Sequence, residues 1–338
     1  MSYEIEEQSL DEDIFSSKTK DADQHFDDNP IHYNLRTLSY SSLLSLHGCP
    51  RRFELTRLMP RDKIRDDDEH GHLSFGDVVG RGIQEYFISS NRNKAIFTMF
   101  INWRDAIDET KAEKSAKTFW HAIHALDKFI SFKEMYLSNY EVAYFQGTPA
   151  AELGFKIDFG NGFTYRGFID LLLIHKTKRT FRVLECKTTG SYNVDEAMYK
   201  NSGQALGYGL VVDRIAYDLN LSNEYTVLYP VYLTRSLEWK EFLFPKSDVS
   251  RANWLQSILI SVGHIQQYSE LQFFPMHGQS CFAYNKQCKF FGMCTMSNTT
   301  LGLENAKVEK DDDSKYQFLF TIQELIEAQY KKGEINEA

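Results

Sequence analysis

Between residues 163 and 187 the chain carries two apolar runs that both end in charge. The first, Tyr165-Arg-Gly-Phe-Ile-Asp170, ends on a carboxylate, and the second, Phe181 to Leu184, runs into Glu185-Cys-Lys187. Side chains alternate faces along a strand, so Glu185 and Lys187 point one way and Cys186 points the other. Two neighbouring strands of this kind bring Asp170, Glu185 and Lys187 to one end of a hairpin. Two carboxylates there suit a divalent cation. A lysine beside them suits the orientation of a water or the charge that develops on a phosphate.

The flanking segments predict one α/β domain built around that hairpin. Structure is expected from near Leu38, with Ser39 or Ser41 capping a helix whose Leu43, Leu44, Leu46 and Phe53 face inward. A charged loop is expected over 60–72, a helix over Phe75 to Ile88, and one long helix or two over Phe97 to Tyr140. Strands follow at about 150–158, 163–174 and 179–187, the first two joined by a turn at Gly160-Asn161-Gly162. Then come a helix over Asp195 to Asp213, strands over Glu224 to Thr234 and Trp239 to Phe244, and a helix over 247–270. A Cys-rich loop spans 275–297, and a last helix near 316–331 lies beyond an acidic linker. No internal repeat is visible.

Charge is unevenly spread. Of the net charge of -9, residues 1–30 contribute -8 (ten acids, two bases) and residues 304–338 contribute -4 (nine acids, five bases), which leaves 31–303 at +3. The acidic first 30 residues read as a disordered tail. A mildly basic body does not exclude a nucleic acid, since affinity rests on local basic patches, but it argues against very tight non-specific binding. No run of roughly 18 apolar residues exists, so no membrane span is expected, and without an apolar signal core a cytoplasmic location is expected. No Walker A pattern is present, so any motor activity is expected from a partner.

Asp170, Glu185-x-Lys187 and Gln204-Ala-Leu-Gly-Tyr208, in that order, resemble the PD-(D/E)xK nuclease superfamily, and most nearly its RecB-like exonuclease branch, with the CRISPR-adaptation and AddB-type nucleases. Ile169 stands where the motif's proline usually does. The resemblance covers roughly residues 38–298. It implies a restriction-endonuclease-like core: a mixed central sheet flanked by helices, with helical N-terminal decoration and a Cys-rich C-terminal segment. Within 31–303 it implies Mg²⁺ or Mn²⁺ on Asp170, Glu185 and the backbone carbonyl of Cys186, with the Cys186 thiol packed in the core. Lys187 would act on the water or the transition state. Gln204 and Tyr208, four apart on one helix face, would touch phosphate or order the lysine. Gly80-Arg-Gly-Ile-Gln84 is similar to the family's Gly-x-x-x-His segment, with Gln84 in place of the metal-contacting histidine. Glu152 lies near the metal or is a surface acid.

Five cysteines occur. The resemblance implies that Cys49, in Cys49-Pro-Arg-Arg-Phe53, joins Cys281, Cys288 and Cys294 around a [4Fe–4S] cluster, with a structural zinc as the alternative. Six residues between Cys281 and Cys288, where the family more often has two, leave that choice open. Such a centre would staple the two ends of the domain together. Arg51 and Arg52 are candidate phosphate contacts, with Arg36, Lys200 and Lys246 weaker ones. Phe53, Tyr86, Phe87, Phe290 and Phe291 are core residues or platforms for unpaired bases.

Together these imply a metal-dependent DNA nuclease, an exonuclease on ends or single strands in recombination, repair or DNA processing. A helicase, recombinase or single-strand-binding protein is the expected partner. A structure-selective endonuclease, an RNA-directed nuclease, and a catalytically inactive DNA-binding or scaffold protein on the same fold are the alternatives.

Overall fold

The computed structural model describes residues 31–59, 69–103, 117–283, 286–306 and 312–327. The expected acidic tail over 1–30, residues 60–68 of the expected loop, most of the acidic linker and the last residues of the expected C-terminal helix lie outside that set.

The N-terminal part is a run of short elements: α1 (Tyr33–Arg36), β1 (Thr37–Leu38), α2 (Tyr40–Gly48) and α3 (Pro50–Leu58). Ser39 caps α2 through a reciprocal box with Ser42, which satisfies two of the amide donors that a helix start leaves open. Leu43 and Leu46 face inward as expected, but Leu44 is exposed, because the buried stripe passes through Ser42 instead. The single helix expected to carry both Leu43 and Phe53 is two, because Cys49 lies between α2 and α3 in an extended conformation. The following proline forces this: it disfavours helical geometry at the residue before it and starts the next helix at its first position.

Helix α4 (Glu69–Ser89) begins earlier than the expected Phe75, so residues 69–72 are helical rather than loop. The region expected as one helix or two is two, α5 (Arg92–Asn102) and α6 (Phe119–Tyr136), capped by Asn91 and Thr118. Gly82 lets α5 approach α4 closely, since a Cβ there would stand 2.5 Å from the Met99 sulfur.

The strands then form a nine-stranded mixed sheet in the order β10-β9-β7-β6-β5-β13, with β1 and β2 on β6 and β8 on β9. The members are β2 (Tyr140–Val142), β5 (Ala151–Gly160), β6 (Phe163–His175), β7 (Phe181–Leu184), β8 (Lys187–Thr189), β9 (Tyr225–Leu233), β10 (Glu238–Pro245) and β13 (Phe318–Thr321). Small hairpins β3 (Tyr144–Phe145) with β4 (Thr148–Pro149), and β11 (Phe282–Ala283) with β12 (Lys286–Gln287), lie apart. The β5–β6 turn falls where expected. Asn161 and Gly162 both have positive φ (52° and 74°), the two-residue hairpin turn that Asn-Gly favours.

The expected helix over Asp195 to Asp213 is broken. Its first part is the single turn α7 (Ala197–Lys200), and α8 (Gly203–Asp218) starts afresh after Ser202. Helix α9 (Asp248–Glu270) packs on α8, and Trp254 fills the space that Gly203 and Gly207 leave. Arg251 locks this layer: it is 1% exposed and paired in a fork with Asp213 at 2.8 Å.

The expected helix near 316–331 begins as a strand. Phe318 to Thr321 adds in parallel to the edge of β5, and only 322–327 is helical among the described residues. One hydrophobic core lies between a sheet face and α2, α3, α8 and α9, and a second between the opposite face and α4, α5 and α6. This is a helix–sheet–helix sandwich, and the expected α/β class with a mixed sheet flanked by helices holds.

Candidate active site

The site forms where the sheet parts. Leu171 of β6 pairs with Leu184 of β7, and beyond that pair the two strands separate. The β7 chain stays with β9 instead: the Glu185 N–H donates to the Leu228 carbonyl at 3.0 Å, and β8 keeps the same parallel register, Lys187 beside Val231. Residues 185 and 186 are therefore a break in one strand rather than its continuous end. Asp170 and Glu185 face each other across the split, and the Cys186 N–H donates to Asp170 Oδ2 at 3.1 Å.

On the other side of β6, Ala151 pairs with Leu171 and Leu153 with Ile169, so Glu152 stands opposite Asp170. Its φ of 48° is unusual for a side-chain-bearing residue in a strand. Gln84, 7% exposed on α4, donates to Glu152 Oε1 at 2.7 Å. Three carboxylates thus come from three adjacent chain segments: Glu152, Asp170 and Glu185.

Lys187 Nζ donates to Glu185 Oε1 at 2.5 Å and to Gln204 Oε1 at 3.4 Å, and Gln204 Nε2 donates to the Tyr208 hydroxyl at 2.6 Å. The expected four-residue spacing on α8 thus delivers a relay from Tyr208 through Gln204 to the lysine. Tyr208 is 3% exposed and packs edge-on against Phe155.

The electrostatics are those of a site short of positive charge. Burial, then the Glu185 and Glu152 charges, raise the Asp170 pKa well above its ordinary value, and Lys187 and the Cys186 amide offset only part of this. Burial opposes the Lys187 ammonium, yet Glu185 and Asp170 outweigh it and hold the lysine protonated. Burial and then the same two carboxylates raise the Tyr208 phenol. Glu185 Oε2 is buried without a hydrogen-bond partner. Such an oxygen is costly unless something binds it. The oxygen donors of Asp170, Glu185 and the Cys186 carbonyl fit a hard divalent cation in charge and donor type. Among the described residues no group of three or more His, Cys, Asp or Glu is placed to hold a metal ion. The Cys186 thiol packs against the second core, as expected, and burial keeps it protonated.

Tyr229 joins the site from outside the expected set. It stands beside Glu185, one position past the Leu184–Leu228 pair, with its ring centroid 4.9 Å from that of Tyr199 and the planes tilted by 39°. The alternation of Tyr225 to Tyr232 reveals its face, but nothing local reveals its neighbour strand.

Cys49, Cys281 and Cys288 lie within electrostatic reach of Cys294, but among the described residues the cysteines are not placed as a group that could hold a metal ion. Burial raises the Cys294 thiol, and then the charges of Cys49, Arg51, Cys281 and Cys288 act on it, Arg51 alone lowering it. All are free thiols.

Two expected DNA contacts are corrected. Arg51 is 6% exposed and holds the Cys-rich loop instead of facing solvent. Its guanidinium donates to the carbonyls of Cys294 (3.3 Å) and Met296 (2.7 Å), to Asn298 (2.6 Å) and to Glu54 (2.5 Å). Lys246 is 5% exposed, donates to the Lys200 carbonyl, and burial lowers its pKa to about 8. Arg52 and Arg36 are half-buried and Lys200 is exposed. Phe53, Tyr86, Phe87 and Phe290 are core residues, whereas Phe291 is exposed.

A family model described as the PD-(D/E)XK nuclease superfamily matches residues 37–295. No curated protein matches the chain. A solved structure titled "Crystal structure of SSO0001" aligns at 14% identity over 77% of this chain and 86% of that one, with a TM-score of 0.29, a likeness too loose to bear on fold or function. No helix among the described residues is long and apolar enough to cross a membrane.

Proposed function

This chain belongs to the PD-(D/E)XK nuclease superfamily, and from that premise we propose that it hydrolyses phosphodiester bonds in DNA as an exonuclease acting on ends or single strands. The observation that carries the reading is the half-buried Asp170 beside the buried Glu185, with one Glu185 carboxylate oxygen unpartnered and Lys187 hydrogen-bonded beside it.

Asp170, Glu185 and the Cys186 carbonyl would hold Mg²⁺ or Mn²⁺, which supplies charge neutralisation and an acidified water when bound. Glu185 keeps Lys187 charged and aimed at the split between the strands. There the ammonium stabilises negative charge growing on the phosphate, where a preorganised donor costs no reorganisation. Gln204 and Tyr208 fix the lysine from the opposite side. Gln84 orients Glu152 and keeps that third carboxylate at the edge of the site.

Cys49, Cys281, Cys288 and Cys294 are proposed, on the resemblance of the Cys49-Pro-Arg-Arg-Phe53 segment and the three C-terminal cysteines, to hold a [4Fe–4S] cluster, with zinc as the alternative. Its part is structural, tying the α2–α3 junction to the C-terminal loop. Iron, sulfide and zinc content with visible absorbance separates the two. A role in recombination, repair or DNA processing with a helicase, recombinase or single-strand-binding partner accords with the absence of a motor motif in this sequence.

The test is cleavage of end-labelled single- and double-stranded DNA by anaerobically purified protein with Mg²⁺ or Mn²⁺, beside Glu185→Ala and an EDTA control. Cleavage by the wild type alone supports the reading, and the label pattern gives polarity. DNA binding without cleavage in the folded, metal-loaded protein points to a scaffold or a required partner. Cleavage competed better by RNA changes the substrate.

A further inference from the structure

Away from the split, β5 and β6 carry a strip of different chemistry. Their register pairs Lys156 with Arg166 and Gly154 with Phe168. Directly opposed residues share a face, so the two cations and the phenyl ring lie side by side. Phe155, Tyr165 and Ile169, alternating with them, are buried in the core. Phe168 is two residues from Asp170, about 7 Å along the strand.

This strip is occupied by the chain's own C-terminal segment. Asp313 pairs with Lys156 at 2.7 Å. The Tyr316 ring stacks on Phe168, with centroids 5.6 Å apart and planes 29° off parallel, and its hydroxyl accepts from Arg166 at 3.0 Å. The Gln317 N–H donates to the Gly154 carbonyl at 2.9 Å, and Gln317 Oε1 accepts from the Gly154 N–H at 2.7 Å. A side chain at 154 would leave no room, since its Cβ would be 2.3 Å from the Lys315 carbonyl oxygen. A carboxylate on a lysine and an aromatic ring laid flat on a phenylalanine reproduce what a single strand offers: a phosphate and a base. The Asp313 side chain is 63% exposed and that of Lys156 13%, so the pair is open to water on the Asp313 side, where screening weakens it.

We propose that Lys156, Arg166 and Phe168 form an entry subsite for a single nucleic-acid strand on its way to Asp170, taking phosphate on the cations and a base on the ring, and that Asp313 and Tyr316 close it by occupying the same three groups. The proposal rests on the nuclease reading above, and a strand must displace the segment before it reaches the carboxylates.

The experiment uses the full chain with Asp313→Asn and Tyr316→Ala together, and reads binding of a labelled single-stranded oligonucleotide by anisotropy in EDTA, with metal-dependent cleavage run in parallel. The opened protein is expected to bind about tenfold more tightly. In that background Phe168→Ala is expected to lose about tenfold, the scale of one base stack. Lys156→Ala with Arg166→Ala is expected to flatten the salt dependence of log affinity by about 1.4, two phosphate contacts to a single strand. Equal binding by opened and wild-type proteins, or no effect of the strip variants, overturns the proposal. Should the opened protein fail to fold, hydrogen exchange on the wild type decides. The Gln317 amide is expected to exchange faster when the oligonucleotide is added, and unchanged or slower exchange overturns the proposal. Cleavage abolished by Glu185→Ala but indifferent to every strip variant leaves the nuclease reading standing and removes the subsite. Shifted binding with no cleavage by any protein does the reverse.

Discussion

Arg51 is the residue at which a phosphate contact and a structural staple make opposite predictions. Arg51→Met keeps the length of the side chain and removes the charge. It leaves Glu54, 2% exposed, as a buried carboxylate whose remaining partner is Asn298 at 3.0 Å. It also frees the carbonyls of Cys294 and Met296. Each hydrogen bond to a charged group contributes about 1.5–3 kcal/mol, but these do not add. The relevant figure is the cost of removing one partner of a buried pair, about 3–5 kcal/mol. Urea unfolding of Arg51→Met against wild type is expected to show a loss of that size. Adding Glu54→Leu should recover much of it, since replacing both charges by apolar groups is often neutral or stabilising. The reasoning fails if Arg51→Met stays within about 0.5 kcal/mol of wild type, the usual range for an uninvolved surface position. It fails equally if the change spares stability and lowers the salt slope of duplex DNA binding by about 0.9, the mark of one lost phosphate contact.

The Asp170 pKa is raised in the folded protein above its ordinary 3.8. The stability this confers is present below that value and drains as pH rises through the folded pKa, so in EDTA the wild type should lose stability as pH rises above 3.8 while Asp170→Asn holds steadier. Mg²⁺ at a hundredfold its dissociation constant should then stabilise the wild type by about 2.7 kcal/mol at neutral pH and leave Asp170→Asn unmoved; equal responses in urea melts sink the metal assignment. Lys187→Met is expected to lower kcat about 10²–10³-fold, the scale of removing one preorganised donor, and steady-state rates within tenfold of wild type would refute its role. Gly82→Ala sets a methyl 2.5 Å from the Met99 sulfur, and the overpacking, about 1–3 kcal/mol, should exceed the gain in helix propensity of about 1 kcal/mol; a higher melting temperature would contradict the packing argument.

What the residues determine by themselves is what depends on short spacing. The two-residue period places Glu185 and Lys187 on one face, and the four-residue period aligns Gln204 with Tyr208. Proline after Cys49 splits two helices, and Asn161-Gly162 makes the hairpin turn. From these the α/β class and the grouping of Glu185, Lys187, Gln204 and Tyr208 are legible. Pairing between distant segments is not a local property, and there the tertiary structure decides. Glu152 and Tyr229 reach the site because β5 and β9 flank β6 and β7, which no spacing records. Arg51 turns inward because the Cys-rich loop, more than 240 residues downstream, brings it carbonyls to satisfy. Phe318 to Thr321, apolar enough for either structure, becomes a strand because β5 has an open edge to accept it, and in docking there it carries Tyr316 onto Phe168.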